Sequence, residues 1–473
     1  MRSNTTYDEI EIGQTASASR ICSANDLYVF AHVSGNLNPM HIPDIDRNHD
    51  GKKDDPVAPS MWVGALVSSV LGNLLPGPGT LYKQQSFRFL ERVHVGDELI
   101  TSVTVREKLD GRRVVLDTRV ERGDGTLVAD GEAEVLAPVE KLHFEDHELP
   151  ELMVQRHVHF DRLMEACADL DPLKTAVICP DDKNSLAGAA LAAEMGLIEP
   201  ILIGSPGRIA EAAKECEVDL DRFELIAIED EPESAARGVA MVHEGKAEAI
   251  MKGHIHSDEL LKEVVKRNGG LRTARRLSHV FVMDVPGRPH PILISDAAIN
   301  IMPDLETKVS IVQNAIDLGQ ALGIAEPKVG ILSAVETVNP AIPSTLDAAV
   351  LSKMAERGQI RGGIVDGPLA MDNAVDVEAA RTKGITSLVA GHAEVLIVPN
   401  MEAGNMLAKE LTFVAHAEAA GLVIGAKVPV MLTSRADDEK SRLASCALAL
   451  LYKAWRQSGV SAVGQAPLAE AAQ

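Results

Sequence analysis

The first cluster of residues that could do chemistry lies near the N-terminus, in residues 33–41 (VSGNLNPMH). Glycine and asparagine favour tight turns, and Pro39 stops a preceding helix, so His41 is expected at the end of a loop. An imidazole held by a short polar side chain such as Asn36 or Asn38 can take up or release protons. The alternative is a loop whose Asn and Ser side chains only satisfy backbone groups.

Glycine and polar residues also follow three apolar runs in the second half of the chain. Gly253 and Ser257 follow the first run, residues 400–405 (NMEAGN) follow the second, and Arg435 follows the third. Glycine lets a backbone approach a ligand, and Ser257 is expected to cap a helix whose N-terminus can receive an anion. Because ligands of open α/β sheets bind at the carboxyl ends of strands, these segments predict an anion-holding cleft.

Arg435 is the residue of this set with the most specific chemistry. A planar guanidinium directly at a strand end suits phosphate. An ion pair with Asp437 or Asp438 at the start of the next helix is the alternative, and the residues alone leave both open.

Composition limits the classes of partner. The chain has 473 residues, with 46 Lys and Arg against 69 Asp and Glu, which gives a net charge of −23. This balance argues against nucleic acid or an anionic membrane surface as the main partner, although a local arginine cluster can still hold an anionic small molecule. No run approaches the roughly 20 apolar residues of a membrane span. A cytoplasmic location is therefore expected.

Metal sites and disulfides are not expected. The five cysteines are scattered and form no CxxC pair, so they predict neither a zinc site nor a disulfide framework. Residues 46–51 (DRNHDG) match the first half of a calcium-binding loop, but the twelfth position, which needs a glutamate, is Val57.

The elements that must position these residues change character near residue 140. Before it, alternating strands are expected at 85–93, 97–108, 113–122 and 126–136, after a buried helix at 60–74. After residue 150, apolar strands alternate with amphipathic helices, which predicts an α/β fold with a largely parallel sheet. This part is too long for one core, so two α/β lobes with a cleft between them are expected.

The expected organisation is an α+β domain at 1–140, a linker at 141–159, a two-lobed α/β domain at 160–457 and a flexible tail at 458–473. The strands of the α/β part are expected at 175–179, 200–204, 225–228, 249–251, 279–284, 291–295, 328–334, 363–366, 394–399 and 428–433. Its helices are expected at 186–195, 233–244, 258–267, 310–322, 346–357 and 438–452.

Residues 33–41 resemble the Ser-Gly-Asp-x-Asn-Pro-x-His signature of MaoC-type (R)-specific enoyl-CoA hydratases. The segments 76–79 (PGPG), 87–90 (FRFL) and 95–97 (VGD) agree, so the resemblance covers about residues 10–138. It implies a hot-dog fold in which an Asp and a His activate water, and a backbone N–H at the start of the buried helix polarises a thioester carbonyl.

Carried onto this chain, the hydratase His is His41, the Asp position is Asn36, and the N–H belongs to Ser60. An amide cannot act as a general base near neutral pH, so the acid/base pair is incomplete. The residues 59–61 (PSM) also replace the family's usual His-Gly-Met. The resemblance therefore implies a hydratase-like domain of uncertain activity, with acyl-CoA binding or assembly as the alternative role.

Residues of about 160–455 resemble the phosphate acetyltransferase and phosphate butyryltransferase family. The segments that carry the resemblance are 251–253 (MKG), 364–375 (IVDGPLAMDNAV), 400–406 (NMEAGNM) and 433–437 (TSRAD). The family fold implies two α/β lobes like those of isocitrate and isopropylmalate dehydrogenases. The family reaction moves a short acyl group between coenzyme A and phosphate, both of which are substrates, so no bound cofactor is expected.

The resemblance also assigns roles. Arg435 would hold phosphate and oxyanion charge, and Ser434 would orient the thiol. The acetyl branch has an Asp base seven positions beyond the Ser, which is Ser441 here, so Asp437 or Asp438 is expected to replace it. The remaining residues are a phosphate cradle, Gly253, His256 and Ser257, and a cleft lining, Asp372, Asn373, Gly404, Asn405 and Lys409.

Two other functions compete with a phosphate acyltransferase. An isocitrate dehydrogenase-type oxidoreductase would need an aspartate cluster for metal and a nicotinamide site, and neither pattern is present. A non-catalytic acyl-CoA-binding scaffold is the other. Because hot-dog domains usually pair and phosphate acyltransferases usually dimerise, a homo-oligomer is expected. The preferred acyl chain, from acetyl to butyryl, is left open.

Overall fold

The computed structural model describes residues 2–48, 54–144, 152, 154, 157–432 and 439–464. The chain forms two compact units, Met1–Val154 and Gln155–Gln473. Within the described ranges, no helix is long and apolar enough to cross a membrane.

The first unit is a five-stranded antiparallel sheet packed around one helix. The sheet order is β2-β4-β5-β6-β3. The strands are β2 (Thr15–Ile21), β3 (Leu81–Phe89), β4 (Glu98–Leu109), β5 (Arg113–Arg122) and β6 (Leu127–Leu136), and the short β1 (Arg2–Ser3) pairs with β7 (His143–Phe144). The helices are α1 (Ala24–Ser34) and α2 (Ser60–Asn73).

Helix α2 is buried as expected, because apolar residues cover most of its circumference. Trp62, Val67 and Leu71 are among its buried side chains, and they belong to the same core as Leu99 and Val103 of β4. The four strands expected here are present. Strand β2 was not expected, because its sequence TASASRI is small, polar and mostly exposed, so it carries no apolar alternation.

The second unit is an α/β fold built on one sheet of eleven strands, in the order β10-β9-β8-β11-β18-β17-β12-β13-β16-β14-β15. The strands are β8 (Leu173–Ile178), β9 (Ile198–Gly204), β10 (Glu224–Ala227), β11 (Ala249–Lys252), β12 (Ser278–Asp284), β13 (Ile292–Ser295), β14 (Lys328–Leu332), β15 (Ile364–Leu369), β16 (Val395–Ile397), β17 (Glu418–Ile424) and β18 (Val430–Met431). The helices are α3 (Val158–Ala166), α4 (Lys183–Glu194), α5 (Pro206–Cys216), α6 (Glu231–His243), α7 (Ser257–Val264), α8 (Leu305–Ala321), α9 (Pro343–Glu356), α10 (Met371–Val375), α11 (Val377–Thr382), α12 (Met401–Phe413) and α13 (Glu439–Ser458).

The sheet consists of two parallel halves that run in opposite directions. The reversal occurs through the antiparallel pairings β18–β17, β17–β12 and β12–β13, and the other neighbours in the sheet are parallel. Strands β8, β11 and β18 therefore end at one edge, and strands β13 to β16 end at the other. Of the three strands that precede the polar segments predicted to form a cleft, β11 and β18 end on one side of the sheet and β16 ends on the other.

Strand β17 was not expected from the sequence. Gly421 interrupts its apolar run, and it is needed because a Cβ there would lie 2.5 Å from Nε2 of His279 on β12. This close approach places the His279 ring in the interior of the sheet, where the side chain is 2% exposed.

His279 makes the stability of the second unit depend on pH. Burial lowers its pKa from 6.5 to about 4, and its Nδ1 has no hydrogen-bond partner among the described residues. In the unfolded chain this imidazole binds a proton near its ordinary pKa, so folding loses stability as the pH falls from about 6.5 towards 4. His279→Gln should remove this dependence, worth about 3 kcal/mol at the acid end.

Urea unfolding at pH 7.5, 5.5 and 4.5, followed by Trp455 fluorescence in a Trp62→Phe background, measures the effect. The exposed His392 gives the matched control, because His392→Gln should leave the pH dependence unchanged. An equal pH dependence in wild type and His279→Gln would contradict this account.

Candidate functional site

The N-terminal polar cluster is a capped turn. Helix α1 ends at Gly35, whose φ of 71° and N–H bond to Ala31 form a left-handed cap. The Asn36 side-chain oxygen accepts the N–H of Asn38 at 3.2 Å. The Asn38 side chain in turn accepts the N–H of Met40 at 3.1 Å and caps a short 3-10 helix. Both asparagines thus bond backbone groups, as in the alternative interpretation.

His41 keeps one nitrogen for chemistry. Its Nδ1 lies 2.7 Å from the Val57 carbonyl oxygen, so a proton on Nδ1 is used there and Nε2 is left as an acceptor. The N–H of Val57 also donates to Met40, which ties this loop to the segment that precedes α2. Three residues later, Ser60 begins α2 without a side-chain cap.

An open cavity of about 520 Å³ adjoins the start of α2, and Ser60 lines it. The other lining residues include Phe89, Leu90, Arg92 and Arg122. Unsatisfied N–H groups of a first helical turn are suited to a carbonyl or an oxyanion. The first residue of α2 thus lies at this cavity.

In the second unit, Gly253 holds the end of β11 against the main chain of β8. The N–H groups of Gly253 and His254 donate to the carbonyls of Ile178 and Cys179, at 2.8 and 2.7 Å. A Cβ on Gly253 would lie 2.3 Å from the Cys179 carbonyl oxygen, so only glycine fits. Helix α7 then starts at Ser257, with the exposed His256 as N-cap residue. The expectation that Ser257 is the cap is wrong by one residue.

A buried carboxylate that sequence reasoning missed lies beside this turn. The Asp181 side chain is 1% exposed, and its two oxygens lie 3.1 Å from Nδ1 of His254 and 3.0 Å from Nε of Arg208. Asp181 thus holds an imidazole and a guanidinium, both about two-fifths exposed, at the end of β8. Its position directly after an apolar strand, in the text CPDDKNS, was the available signal.

Ser434, Arg435, Asp437 and Asp438 lie outside the described residues. Leu432 is described, and it packs against the core that contains Cys179 and Ile255.

Asp372 and Asn373 lie in α10, which follows β15 in the half of the sheet that contains β13 to β16. Asp372 is exposed, and the N–H of Asn373 and the ammonium of Lys383, 3.3 Å away, lower its pKa. Asn373 is fully buried and donates to Glu336 at 3.4 Å, while its Oδ1 has no partner among the described residues. The Lys383 ammonium thus pairs with two carboxylates, those of Asp372 and Glu336.

Gly404 and Asn405 face the segment after β13. A Cβ on Gly404 would lie 3.0 Å from Cα of Ala297, and the Asn405 amide donates to the Ala297 carbonyl at 3.4 Å. The preceding Asp296 is 2% exposed, and burial raises its pKa although neighbouring N–H groups oppose this. Lys409 is exposed one turn further along α12.

Comparisons with known proteins identify both parts of the chain. Residues 233–450 match the family model described as "Phosphate acetyl/butaryl transferase", and residues 8–124 match "MaoC like domain". A phosphate acetyltransferase of Rhizobium meliloti is 58% identical over 299 residues, which span 63% of this chain and 95% of that protein. The chain belongs to the phosphate acetyl/butyryl transferase family. A phosphate butyryltransferase of Clostridium beijerinckii is 39% identical over 296 residues, 63% of this chain and 98% of that protein.

Solved structures include relatives of each part. A branched-chain phosphotransacylase from Enterococcus faecalis V583 is 31% identical, with a TM-score of 0.53 over 59% of this chain and 99% of its own. The R-hydratase PhaJ1 from Pseudomonas aeruginosa is 42% identical over 32% of this chain and 97% of its own, with a TM-score of 0.30. The predicted fusion of a MaoC-like part with a phosphate acyltransferase part is confirmed. The relatives fit the acyltransferase interpretation and not the dehydrogenase or scaffold alternatives.

Gly253→Ala should disrupt the junction between β8 and β11. Its Cβ would displace the Cys179 carbonyl and break the hydrogen bond to Ile178, so we expect the melting temperature of the second unit to fall by at least several degrees. Differential scanning calorimetry measures this change. Gly207→Ala in α5 is the control, because a Cβ there meets nothing within 4 Å and should leave the melting temperature equal or higher. Equal melting temperatures for Gly253→Ala and wild type would show that the junction can relax.

Proposed function

We propose that the second unit is a phosphate acyltransferase that moves a short acyl group, acetyl to butyryl, between coenzyme A and inorganic phosphate. The observation that carries this is the 58% identity to a phosphate acetyltransferase along 95% of that protein. The proposal includes coenzyme A thioester and phosphate as substrates, a homo-oligomer, a cytoplasmic location, and a two-lobed arrangement like that of isocitrate dehydrogenase over residues 160–457. The reversal of strand direction within the sheet supports two lobes.

The proposed reaction has three steps. The coenzyme A thiol gives its proton to a base. The thiolate sulfur then forms a bond to the carbonyl carbon of the acyl phosphate, and the bond between that carbon and the phosphate oxygen breaks. Arg435 is proposed to bind the phosphate and the charge of the tetrahedral oxyanion, and Ser434 to orient the thiol. Gly253, His256 and Ser257 are proposed as the phosphate cradle, which the close approach of β11 to β8 supports.

The base is proposed to be Asp437 or Asp438, and His254 is a second candidate. His254 is supported by its buried partner Asp181, which orients the imidazole through Nδ1 and leaves Nε2 able to accept a proton. Asp372, Asn373, Gly404, Asn405 and Lys409 are proposed to line the cleft. The contacts of these residues lie in the half of the second unit that contains β13 to β16. The proposal needs the sheet's twist, about 20–25° between neighbouring strands, to turn this half towards the half that contains β8 and β11.

The proposed function is tested with acetyl-, propionyl- and butyryl-CoA in the presence of phosphate, following the release of free thiol. Wild type should release thiol from at least one donor, and Arg435→Gln should lose about 100-fold or more in kcat/KM. Arg381→Gln, which alters an exposed arginine paired with Glu378, should retain full activity. No thiol release from any donor would reject the proposal.

The same assay assigns the base. Asp437→Asn combined with Asp438→Asn should lower kcat by about 100- to 10,000-fold if these residues take the proton. Full activity in that variant, with loss in His254→Gln and a changed pH–rate profile in Asp181→Asn, would assign the proton to His254.

For the first unit we propose acyl-CoA binding without efficient hydration. Asn36 is the observation that carries this, because it supplies an amide where the related hydratases have a carboxylate, and its oxygen is bonded to the N–H of Asn38. An Asp at this position can keep that bond, so the turn should survive the change.

Asn36→Asp should raise crotonyl-CoA hydration by about 100-fold or more, since it restores the carboxylate that the related hydratases use together with the histidine that corresponds to His41. The loss of absorbance of the conjugated thioester measures hydration. Asn36→Asp combined with His41→Gln is the control and should return to the wild-type rate. Rapid hydration by wild type would show that the carboxylate is not needed.

A further inference from the structure

The C-terminal end of α13 borders a cavity of about 500 Å³ that belongs to none of the sites described above. This volume lies within the range typical of small-molecule sites. The lining residues are Thr273, Ala274, Arg275, Asp317, Gly425, Ala426, Tyr452, Trp455, Arg456 and Gly459.

Two aromatic side chains form one wall of this cavity. Tyr452 is buried, and the Trp455 ring stacks on it with centroids 6.1 Å apart and planes 27° apart. Trp455 is only partly buried, and it also lines an adjoining cavity of about 450 Å³. A partly exposed indole backed by a second ring is a suitable stacking surface for a flat heterocycle.

Two guanidinium groups line the same cavity. Arg275 pairs with one carboxylate oxygen of Asp317, and Gln313 donates to the other at 3.0 Å, so the Arg275 guanidinium is anchored through Asp317. Arg456 lies over the Tyr452 ring at 5.9 Å and donates to the Lys427 carbonyl at 3.1 Å. Anchored guanidinium groups are strong phosphate ligands.

Further cations are sequence neighbours of the lining residues. Arg272, Arg276 and Lys427 are exposed, and the N–H of Lys427 donates to Leu271, which joins their two segments. The whole chain carries a net charge of −23, so this concentration of positive charge is a local feature that favours an anionic ligand.

The cavity lies towards the C-terminal end of α13, away from Glu439, the first residue of that helix. Trp455 comes sixteen residues after Glu439 on the same helix. At 1.5 Å per residue, the two ends of this stretch are about 24 Å apart. None of the described residues proposed for acyl transfer lines the cavity.

We propose that this cavity binds a purine nucleotide, with the base on Trp455 and the phosphates on Arg275 and Arg456. The chain itself supplies the probe, because Trp62 and Trp455 are its two tryptophans. Trp62 is buried against the sheet of the first unit, so Trp62→Phe leaves Trp455 as a single reporter.

ATP should quench the Trp455 fluorescence of the Trp62→Phe protein with a saturable curve below about 5 mM. Adenosine and tripolyphosphate, which supply the ring or the charge alone, should each bind at least about tenfold more weakly. Arg275→Gln and Arg456→Gln should each weaken ATP binding, and Arg381→Gln should not. Arg435→Gln should leave the curve unchanged, because the proposal assigns the nucleotide to Trp455, Arg275 and Arg456 alone.

Several results would overturn the proposal. They are the absence of saturable quenching by ATP, equal binding of tripolyphosphate and ATP, and equal affinity in wild type and in both Arg275→Gln and Arg456→Gln. Loss of quenching in Arg435→Gln would assign the nucleotide to the acyl-transfer site. Circular dichroism of each variant identifies any that is unfolded, and the second arginine variant then carries the test.

Discussion

The contact between the end of β11 and the main chain of β8 is the constraint on which the proposed catalytic edge depends. Two main-chain hydrogen bonds continue the strand pairing past Lys252, and the missing Cβ of Gly253 allows them. The same contact fixes the direction in which the chain enters α7. It also brings His254 to the buried carboxylate of Asp181, whose charge is balanced by Arg208. One glycine thus sets the positions of a helix terminus, an imidazole and a guanidinium.

The reversal of strand direction at β12 and β17 divides the proposed site residues into two groups. Asp181 and His254 follow β8 and β11, which end on one side of the sheet, whereas Asn373 and Asn405 follow β15 and β16, which end on the other. Each group has its own contacts. In the first, Asp181 holds His254 and Arg208. In the second, Glu336 contacts Asn373 and Lys383, and the Ala297 carbonyl accepts the Asn405 amide. A reaction that uses both groups therefore needs the twist of the continuous sheet to bring its two halves towards each other.

The proposed role of the first unit keeps the hot-dog fold and gives up efficient hydration. The hot-dog core depends on α2 and on alternate residues of β4, and none of these is part of the acid/base pair. The turn at residues 35–41 is built from left-handed Gly35 and two asparagine caps, which would form equally well with Asp at position 36. The turn needs only one side-chain oxygen at position 36, which accepts the N–H of Asn38. The choice between Asn and Asp at this position can therefore affect hydration without affecting the stability of the turn.

The sequence by itself determined the family of each part, the helix at α2 and most strands, because these depend on local apolar patterns and on contiguous motifs. It could not determine β2, which is an exposed edge strand, or β17, whose glycine exists for the ring of His279 on another strand. Nor could it find Asp181 as the partner of His254, since 73 residues separate them and only the parallel pairing of β8 with β11 brings them together. The cavity at Trp455 likewise joins residues from four separate segments. Pairing between distant strands, and the direction in which each runs, are properties that only the tertiary structure decided.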